Sequence, residues 1–197
     1  MIDEKGNNIA VLILAAGSSS RMGTPKQLLP WKHKTLIEHV IQTSLKATTN
    51  VFAVLGANYE SILNAIKDYP IQILKHKNWQ DGLGSSIAFG VKHIKENFAA
   101  VLVLLVDQPL INNAHITTLI EAYISKKSKI ITTQYNKQKE GVPAIFDKLY
   151  FDELCKLNQD FGAKEIIDDN ETYSIEASNK ILDIDTKSDY ERLLEES

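Results

Sequence analysis

Apolar residues along this chain follow two alternating patterns. Ile9–Ala16, Val51–Leu55 and Ala99–Val106 are apolar at nearly every position. Such runs predict strands buried on both faces of a parallel sheet, because a strand with one wet face would alternate. Between the first two runs, Leu36, Val40, Ile41 and Leu45 recur at helical spacing and predict a helix over Thr35–Ala47. Ile62, Leu63 and Ile66 predict a short helix over Tyr59–Lys67, and Gln72–Lys75 a short strand. Helices follow over Ile87–Ile94 and Leu110–Tyr123, then a strand over Lys129–Gln134 and, after a polar turn, the segment Gly141–Phe146. Phe151–Leu157 reads as helical, a further helix runs through Ile167, and Tyr173–Glu176 forms an edge strand. Thr186-Lys187-Ser188-Asp189 has the form of a capped helix start. Strands alternating with helices predict an α/β fold with a mostly parallel sheet.

The composition suits one compact domain over residues 1–197: 44% of residues are hydrophobic and 24% charged. A net charge of −3 supplies no basic field for nucleic acid or an acidic membrane. The lone Cys155 forms no internal disulfide, and no Cys/His cluster suggests zinc. Met1–Asn8 is polar and carries Asp3 and Glu4, unlike a signal peptide. The apolar run after it is too short to span a bilayer. The expected compartment is the reducing cytoplasm.

Chemistry concentrates where the apolar runs end. After Ala16 the chain becomes Gly17-Ser18-Ser19-Ser20-Arg21-Met22-Gly23, with Lys26 three residues on. A buried strand opening into a small, donor-rich, cationic loop is where an open α/β sheet binds ligands. An ordinary strand-to-helix loop with a surface Arg and Lys is the alternative. Neither GxxxxGK[ST] nor GxGxxG occurs in the first half, which removes the two most familiar phosphate loops. Asn78–Ser86, NWQDGLGSS, precedes the helix Ile87–Ile94, with Ser85 or Ser86 as its expected cap. Ala99–Val106 ends at Asp107-Gln108-Pro109. A carboxylate there points into the ligand crevice and offers a hard cation an oxygen ligand. Asn112 or Asn113 is better placed than Asp107 to cap the following helix.

Leu14-Ala15-Ala16-Gly17-Ser18-Ser19-Ser20-Arg21-Met22-Gly23-Thr24-Pro25-Lys26 resembles the LAAGxSxRMGxxK signature of nucleotidyltransferases of the glycosyltransferase-A-like superfamily. Gly82-Leu83-Gly84-Ser85-Ser86 is similar to a glycine-serine stretch of the molybdenum cofactor cytidylyltransferases in its MobA-like branch. This resemblance spans Ile9 to about Leu194. It implies a three-layer, Rossmann-like open sheet, mostly parallel with a late antiparallel strand.

It further implies that Leu14, Ala15, Ala16, Gly17, Ser18, Arg21 and Lys26 wrap the nucleotide triphosphate, and that Gly82, Ser85 and Ser86 meet base and ribose. Asp107 and Asp185, the latter in an Asp-Thr-x-x-Asp-Tyr segment with Asp183 as fallback, would hold Mg2+. Arg21, Lys26 and Asp107 would be the catalytic groups. The implied substrates are CTP, favoured by the Leu-Ala-Ala-Gly form, and a phosphorylated acceptor, molybdenum cofactor, with pyrophosphate released. A transient contact with a molybdoenzyme or its chaperone goes with that product. Val142 stands where cofactor-directed members carry the histidine of Gly-His-Pro, which opens the acceptor to a sugar or polyol phosphate instead. Lys164 follows a small-residue stretch like one the family uses, and is otherwise a solvated charge. From other classes, a non-catalytic nucleotide-binding accessory protein needs no second metal ligand such as Asp185, and a dinucleotide-dependent oxidoreductase lacks its fingerprint here.

Overall fold

The computed structural model describes residues 8–136, 139–158, 160–177 and 183–195. Its centre is a seven-stranded sheet built from β1 (Ile9–Ala15), β4 (Val51–Leu55), β5 (Gln72–Lys75), β6 (Ala100–Leu105), β7 (Ile130–Asn136), β8 (Lys139–Asp147) and β9 (Thr172–Glu176). A two-stranded hairpin, β2 (Pro30–Trp31) with β3 (Lys34–Thr35), stands apart from it. The strand order is β5-β4-β1-β6-β8-β7-β9. Strand β8 alone runs against its neighbours, pairing antiparallel with both β6 and β7, while β9 lies parallel on the β7 edge.

The uninterrupted apolar runs have a direct structural cause. In β1, Ile9, Val11, Ile13 and Ala15 face one core, and Ala10, Leu12 and Leu14 face the other. The first core is closed by α1 (Leu36–Leu45), α2 (Tyr59–Ile66), α4 (Asn113–Ile124) and α7 (Lys187–Glu195). The second is closed by α3 (Leu83–Ile94), α5 (Phe151–Leu154) and α6 (Lys164–Asp168). A strand between two helical layers has no wet face, so every position is apolar. No described helix is long and apolar enough to cross a membrane.

Helix starts follow local chemistry. Thr35 caps α1 in a reciprocal box with Glu38, and the Asn112 side chain accepts from the His115 N–H at 2.9 Å to cap α4. The expected serine cap of α3 is corrected. The helix begins at Leu83 after Gly82, whose φ of 96° suits only glycine, and no side chain caps it. Ser85 and Ser86 therefore lie inside its first turns. Helix α5 stops at Leu154, short of the expected Leu157. Ile181 and Leu182, the tip of the 135–140 loop and residues 1–7 lie outside the described residues.

Gly56 sits where the first two loops meet. A Cβ added there would lie 2.5 Å from Trp79 Cβ and 2.8 Å from the Ala16 carbonyl oxygen. The backbone cannot yield to that methyl without moving the end of β1. Gly56→Ala is expected to destabilise the fold by about 1–3 kcal/mol, read as a lowered thermal midpoint. An unchanged midpoint would show that this junction is loose.

Candidate active site

The carboxyl ends of β1 and β6 face the same side of the sheet, and a third segment returns to them. The Ile184 N–H donates to the Asp107 carbonyl at 3.0 Å, which brings 183–186 beside the end of β6. That segment is fixed from behind: the Asp189 carboxylate accepts from the Thr186 N–H and hydroxyl at 2.8 and 2.7 Å, and the Asp189 N–H donates to the Thr186 hydroxyl at 3.2 Å. Tyr190 on α7 donates to the Pro30 carbonyl at 2.7 Å and ties the helix to the hairpin.

The first loop leaves β1 at Ala16 and folds back on itself. Met22 is buried and anchors it from below, between exposed Arg21 and exposed Gly23. Ser19 and Gly23 adopt positive φ, at 57° and 72°, which turns the chain tightly enough for Lys26 to return over the sheet. The Ser19 hydroxyl accepts from the Lys26 N–H at 3.0 Å. Gln27, fully buried, donates to the carbonyls of Ala15 and Gly17 at 3.0 and 2.8 Å and so locks the loop to the strand end. Nothing in the sequence marked Gln27 for this clamp, because its burial is visible only in the fold.

These supports converge on one cation. The Lys26 ammonium donates to Asp107 Oδ2 at 2.6 Å, to Asp185 Oδ1 at 3.0 Å and to the Ile184 carbonyl at 3.3 Å. Arg21, largely exposed, reaches the other oxygen of Asp185 at 3.4 Å. Burial pulls the Lys26 pKa down, but the adjacent carboxylates of Asp107 and Asp185 outweigh it and hold the amine charged. Burial pushes the Asp107 carboxyl up, with Lys26 pulling against it. Asp107 Oδ1 is buried without a hydrogen-bond partner.

Two carboxylates on one ammonium mark a position built for positive charge. No group of three or more His, Cys, Asp or Glu gathers for a metal among the described residues. Two carboxylate oxygens with an orphaned third nonetheless fit a hard divalent cation that draws its remaining ligands from phosphate and water, as magnesium does.

Beside this centre lies a cleft of about 300 Å3, walled by Leu14, Leu83, Val103, Leu105 and Val142 and floored by a polar chain. Gln108 donates to Tyr135 Oη at 2.7 Å and to Asp183 Oδ1 at 2.9 Å, and Tyr135 donates to the Val142 carbonyl. The amide orientation follows from chemistry, since only the NH2 end of Gln108 can face a carboxylate. Burial pushes the Tyr135 phenol well above its ordinary range, so it stays a donor.

Arg21, Lys26, Asp107 and Asp185 are thus brought together, and Asp183 stands one step away in the cleft. Leu14 lines the cleft, while Ala15 and Ala16 contribute backbone: their carbonyls accept from Gln27 and from the Ala57 N–H. Gly17 and Ser18 are exposed at the loop mouth. Gly82 forms the turn into α3, and Ser86 is buried with its hydroxyl 3.5 Å from the Gly82 carbonyl. Ser85 turns to the other side, hydrogen-bonded to His76 Nε2 at 2.8 Å, with His76 stacked on Phe89. His76 therefore stands outside the centre, in a separate groove with Lys77 and Lys92. Lys164 lines the cleft. Gln27, Gln108, Tyr135 and Glu140 join the site without having been singled out in the sequence.

Comparison with known proteins identifies the family and the fold. The model of the MobA-like NTP transferase domain matches residues 11–174. Nicotine blue oxidoreductase from Paenarthrobacter nicotinovorans is 32% identical over 147 residues, covering 69% of each chain. A probable molybdenum cofactor guanylyltransferase from Bacillus mycoides is 24% identical, over 71% of this chain and 74% of that one. Among solved structures, Rv0371c from Mycobacterium tuberculosis superposes with a TM-score of 0.85 at 25% identity, covering 96% of this chain and 98% of that one. Its complex with manganese gives a TM-score of 0.82 at 23% identity, covering 97% and 100%. The chain belongs to the MobA-like NTP transferase domain family of nucleotidyltransferases.

Proposed function

We propose that this protein transfers CMP from CTP to the phosphate of molybdenum cofactor, releasing pyrophosphate. The observation that carries the reading is the Lys26 ammonium held between Asp107 and Asp185 where β1 and β6 end. Nucleophile and electrophile in such a transfer are both anionic, so the work lies in charge neutralisation and alignment. An acceptor phosphate oxygen attacks the α-phosphorus in line. The bond to the bridging oxygen breaks, and pyrophosphate departs with the electron pair. The acceptor phosphate is already ionised near neutrality, so no dedicated base is needed.

Asp107 and Asp185 would hold the divalent metal, and the relative solved with manganese supports a site for one. Bound there, the metal supplies Lewis-acid charge to the phosphate oxygens. Lys26 and Arg21 bind the β- and γ-phosphates and stabilise the leaving group. The loop from Leu14 to Ser18 borders the triphosphate, with Gln27 holding its backbone in place. Gly82, at the turn into α3, and Ser86, in its first turns, would meet base and ribose, while Ser85, hydrogen-bonded to His76 on the other side, takes no part.

CTP rests on the Leu14-Ala15-Ala16-Gly17 form, which resembles the cytidylyl branch, whereas guanylyl-transferring relatives more often carry a glycine-rich variant there. GTP is the competing donor, supported by the relatives named guanylyltransferases. A sugar or polyol phosphate is the competing acceptor, because Val142 replaces the histidine. The relative named an oxidoreductase supports a redox reading, in which the same cleft would take a reducible substrate.

The test is pyrophosphate release with each of CTP, GTP, ATP and UTP, with magnesium, with and without molybdenum cofactor. Release that needs both CTP and the cofactor is the expected result. Release with GTP alone would reassign the donor, and CTP turnover with another phosphate would reassign the acceptor. Oxidation of a reduced nicotinamide without any pyrophosphate release would favour the redox reading.

A further inference from the structure

Two polar residues follow the end of β6 in succession, and the scheme above gives work to only one of them. Asp107 meets Lys26, whereas Gln108, 3% exposed, donates one N–H to Asp183 Oδ1 at 2.9 Å and the other to Tyr135 Oη at 2.7 Å. Tyr135 donates onward to the Val142 carbonyl, which anchors the amide on β7 and β8. The carbonyl oxygen of Gln108 is buried without a partner. An orphaned buried acceptor is a cost that a leucine at this position would not carry. What the glutamine supplies is therefore its two donors.

One of those donors acts on the segment that carries Asp185. Asp183 and Asp185 are exposed on either side of Ile184, which is fully buried in the first core. Ile184 is the pivot, so pinning one flanking carboxylate restricts where the other can point. In the ligand-free protein Lys26 steadies the segment too, through Asp185 and the Ile184 carbonyl. That hold is released once a divalent cation replaces the ammonium between Asp107 and Asp185. The Ile184 N–H still donates to the Asp107 carbonyl, and Asp189 still accepts from the N–H groups of Asp185 and Thr186. On the cleft side the remaining side-chain tether is Gln108 to Asp183. No ion pair among the described residues involves Asp183. Its donor is neutral, and so brings no positive charge that would compete with the metal for Asp185.

We infer that Gln108 is a positioning residue: by pinning Asp183 it fixes the 183–185 segment and holds Asp185 where a divalent cation shared with Asp107 can reach it. This rests on the proposed reaction for the metal alone, and on neither donor nor acceptor. Asp183 is then a tether and not a ligand.

The test is Mn2+ binding to the protein without nucleotide, followed by the electron paramagnetic resonance of the free ion. The wild type is compared with Gln108→Leu, Asp183→Leu, the double variant and Asp183→Asn. Each leucine should weaken Mn2+ by about tenfold or more, the usual effect of losing a group that orients a metal ligand. The double variant should be no weaker than the singles by more than about twofold, because both remove one tether. Asp183→Asn should bind like the wild type, since its amide oxygen still accepts from Gln108. Thermal midpoints are expected to hold, as leucine removes the orphaned oxygen and Asp183 is exposed. Should Gln108→Leu fail to fold, Asp183→Leu against Asp183→Asn carries the same comparison. Wild-type affinity in both leucine variants overturns the inference, and so do losses that add in the double variant. Asp183→Asn as weak as Asp183→Leu overturns it as well, by placing the Asp183 charge on the metal. A wild type that binds no Mn2+ removes the metal assignment and this role together. The expected order of affinities in a protein that releases no pyrophosphate from any nucleotide would sink the transfer reading and leave the role of Gln108 standing.

Discussion

On the proposed reaction, Asp107→Asn is expected to lower nucleotidyl transfer by about a thousandfold or more while the nucleotide still binds. A bound metal contributes several kcal/mol of charge stabilisation, and each 1.36 kcal/mol is a factor of ten in rate. Asparagine keeps the size of the side chain, so the end of β6 and the pairing of the Ile184 N–H with the backbone carbonyl at 107 remain. What disappears is the anionic oxygen that faces Lys26 at 2.6 Å. Steady-state rates across a magnesium titration read the effect. Near-wild-type turnover at saturating magnesium would show that Asp107 holds no metal. The amide still leaves one buried polar end without a partner and takes the charge from beside Lys26, so the variant's thermal midpoint is expected to fall.

Lys26→Met has the second largest effect, and it separates two roles of one side chain. In the ligand-free protein the ammonium is the shared partner of Asp107 and Asp185, both on Nζ within 3.0 Å. Its loss leaves two carboxylates facing each other across an apolar chain, one buried and one half exposed. A destabilisation of about 2 kcal/mol is expected, below the cost of breaking a fully buried pair because water reaches Asp185. Magnesium should then raise the thermal midpoint of the variant more than that of the wild type, since no ammonium competes for the same oxygens. Turnover falls roughly a hundredfold, through the lost charge on the leaving pyrophosphate. A variant as stable as the wild type and no more responsive to magnesium would mean that the ammonium and the metal do not share a site.

Part of this centre was legible because it ends a recognisable element. Ala99–Val106 is apolar throughout because it lies between two helical layers, so Asp107 stood out as the first charge past a buried strand. Asp185 stood out only through the resembled family's Asp-Thr-x-x-Asp-Tyr segment, since the cap formed by Thr186 and Asp189 gives it no role of its own. The start of α1 at Thr35 was legible from its apolar spacing, while the capping box of Thr35 with Glu38 emerged from the structure.

What escaped the sequence is held together at long range. Gln108 meets Tyr135 and Asp183 across 27 and 75 residues, and Glu140 meets Thr172 and Ser174 across 32 and 34. No local spacing encodes those pairings, which exist only because β8 turns back between β6 and β7 and β9 closes the edge. The misplaced serine cap has a local cause of another kind. Two serines before an apolar run resemble a cap, but the positive φ of Gly82 starts α3 earlier and carries both serines into the helix. The hairpin Pro30–Trp31 with Lys34–Thr35 went unmarked because strands of two residues have no periodicity to read.

The fate of the α-phosphate distinguishes transfer from every other reaction of the bound nucleotide. With CTP labelled at the α-phosphorus, magnesium and molybdenum cofactor, label is expected to appear on the cofactor as CMP joined to its phosphate through a phosphoanhydride, in step with unlabelled pyrophosphate. Label that stays in CTP, or emerges only as free CMP, would contradict transfer to an acceptor phosphate at this site.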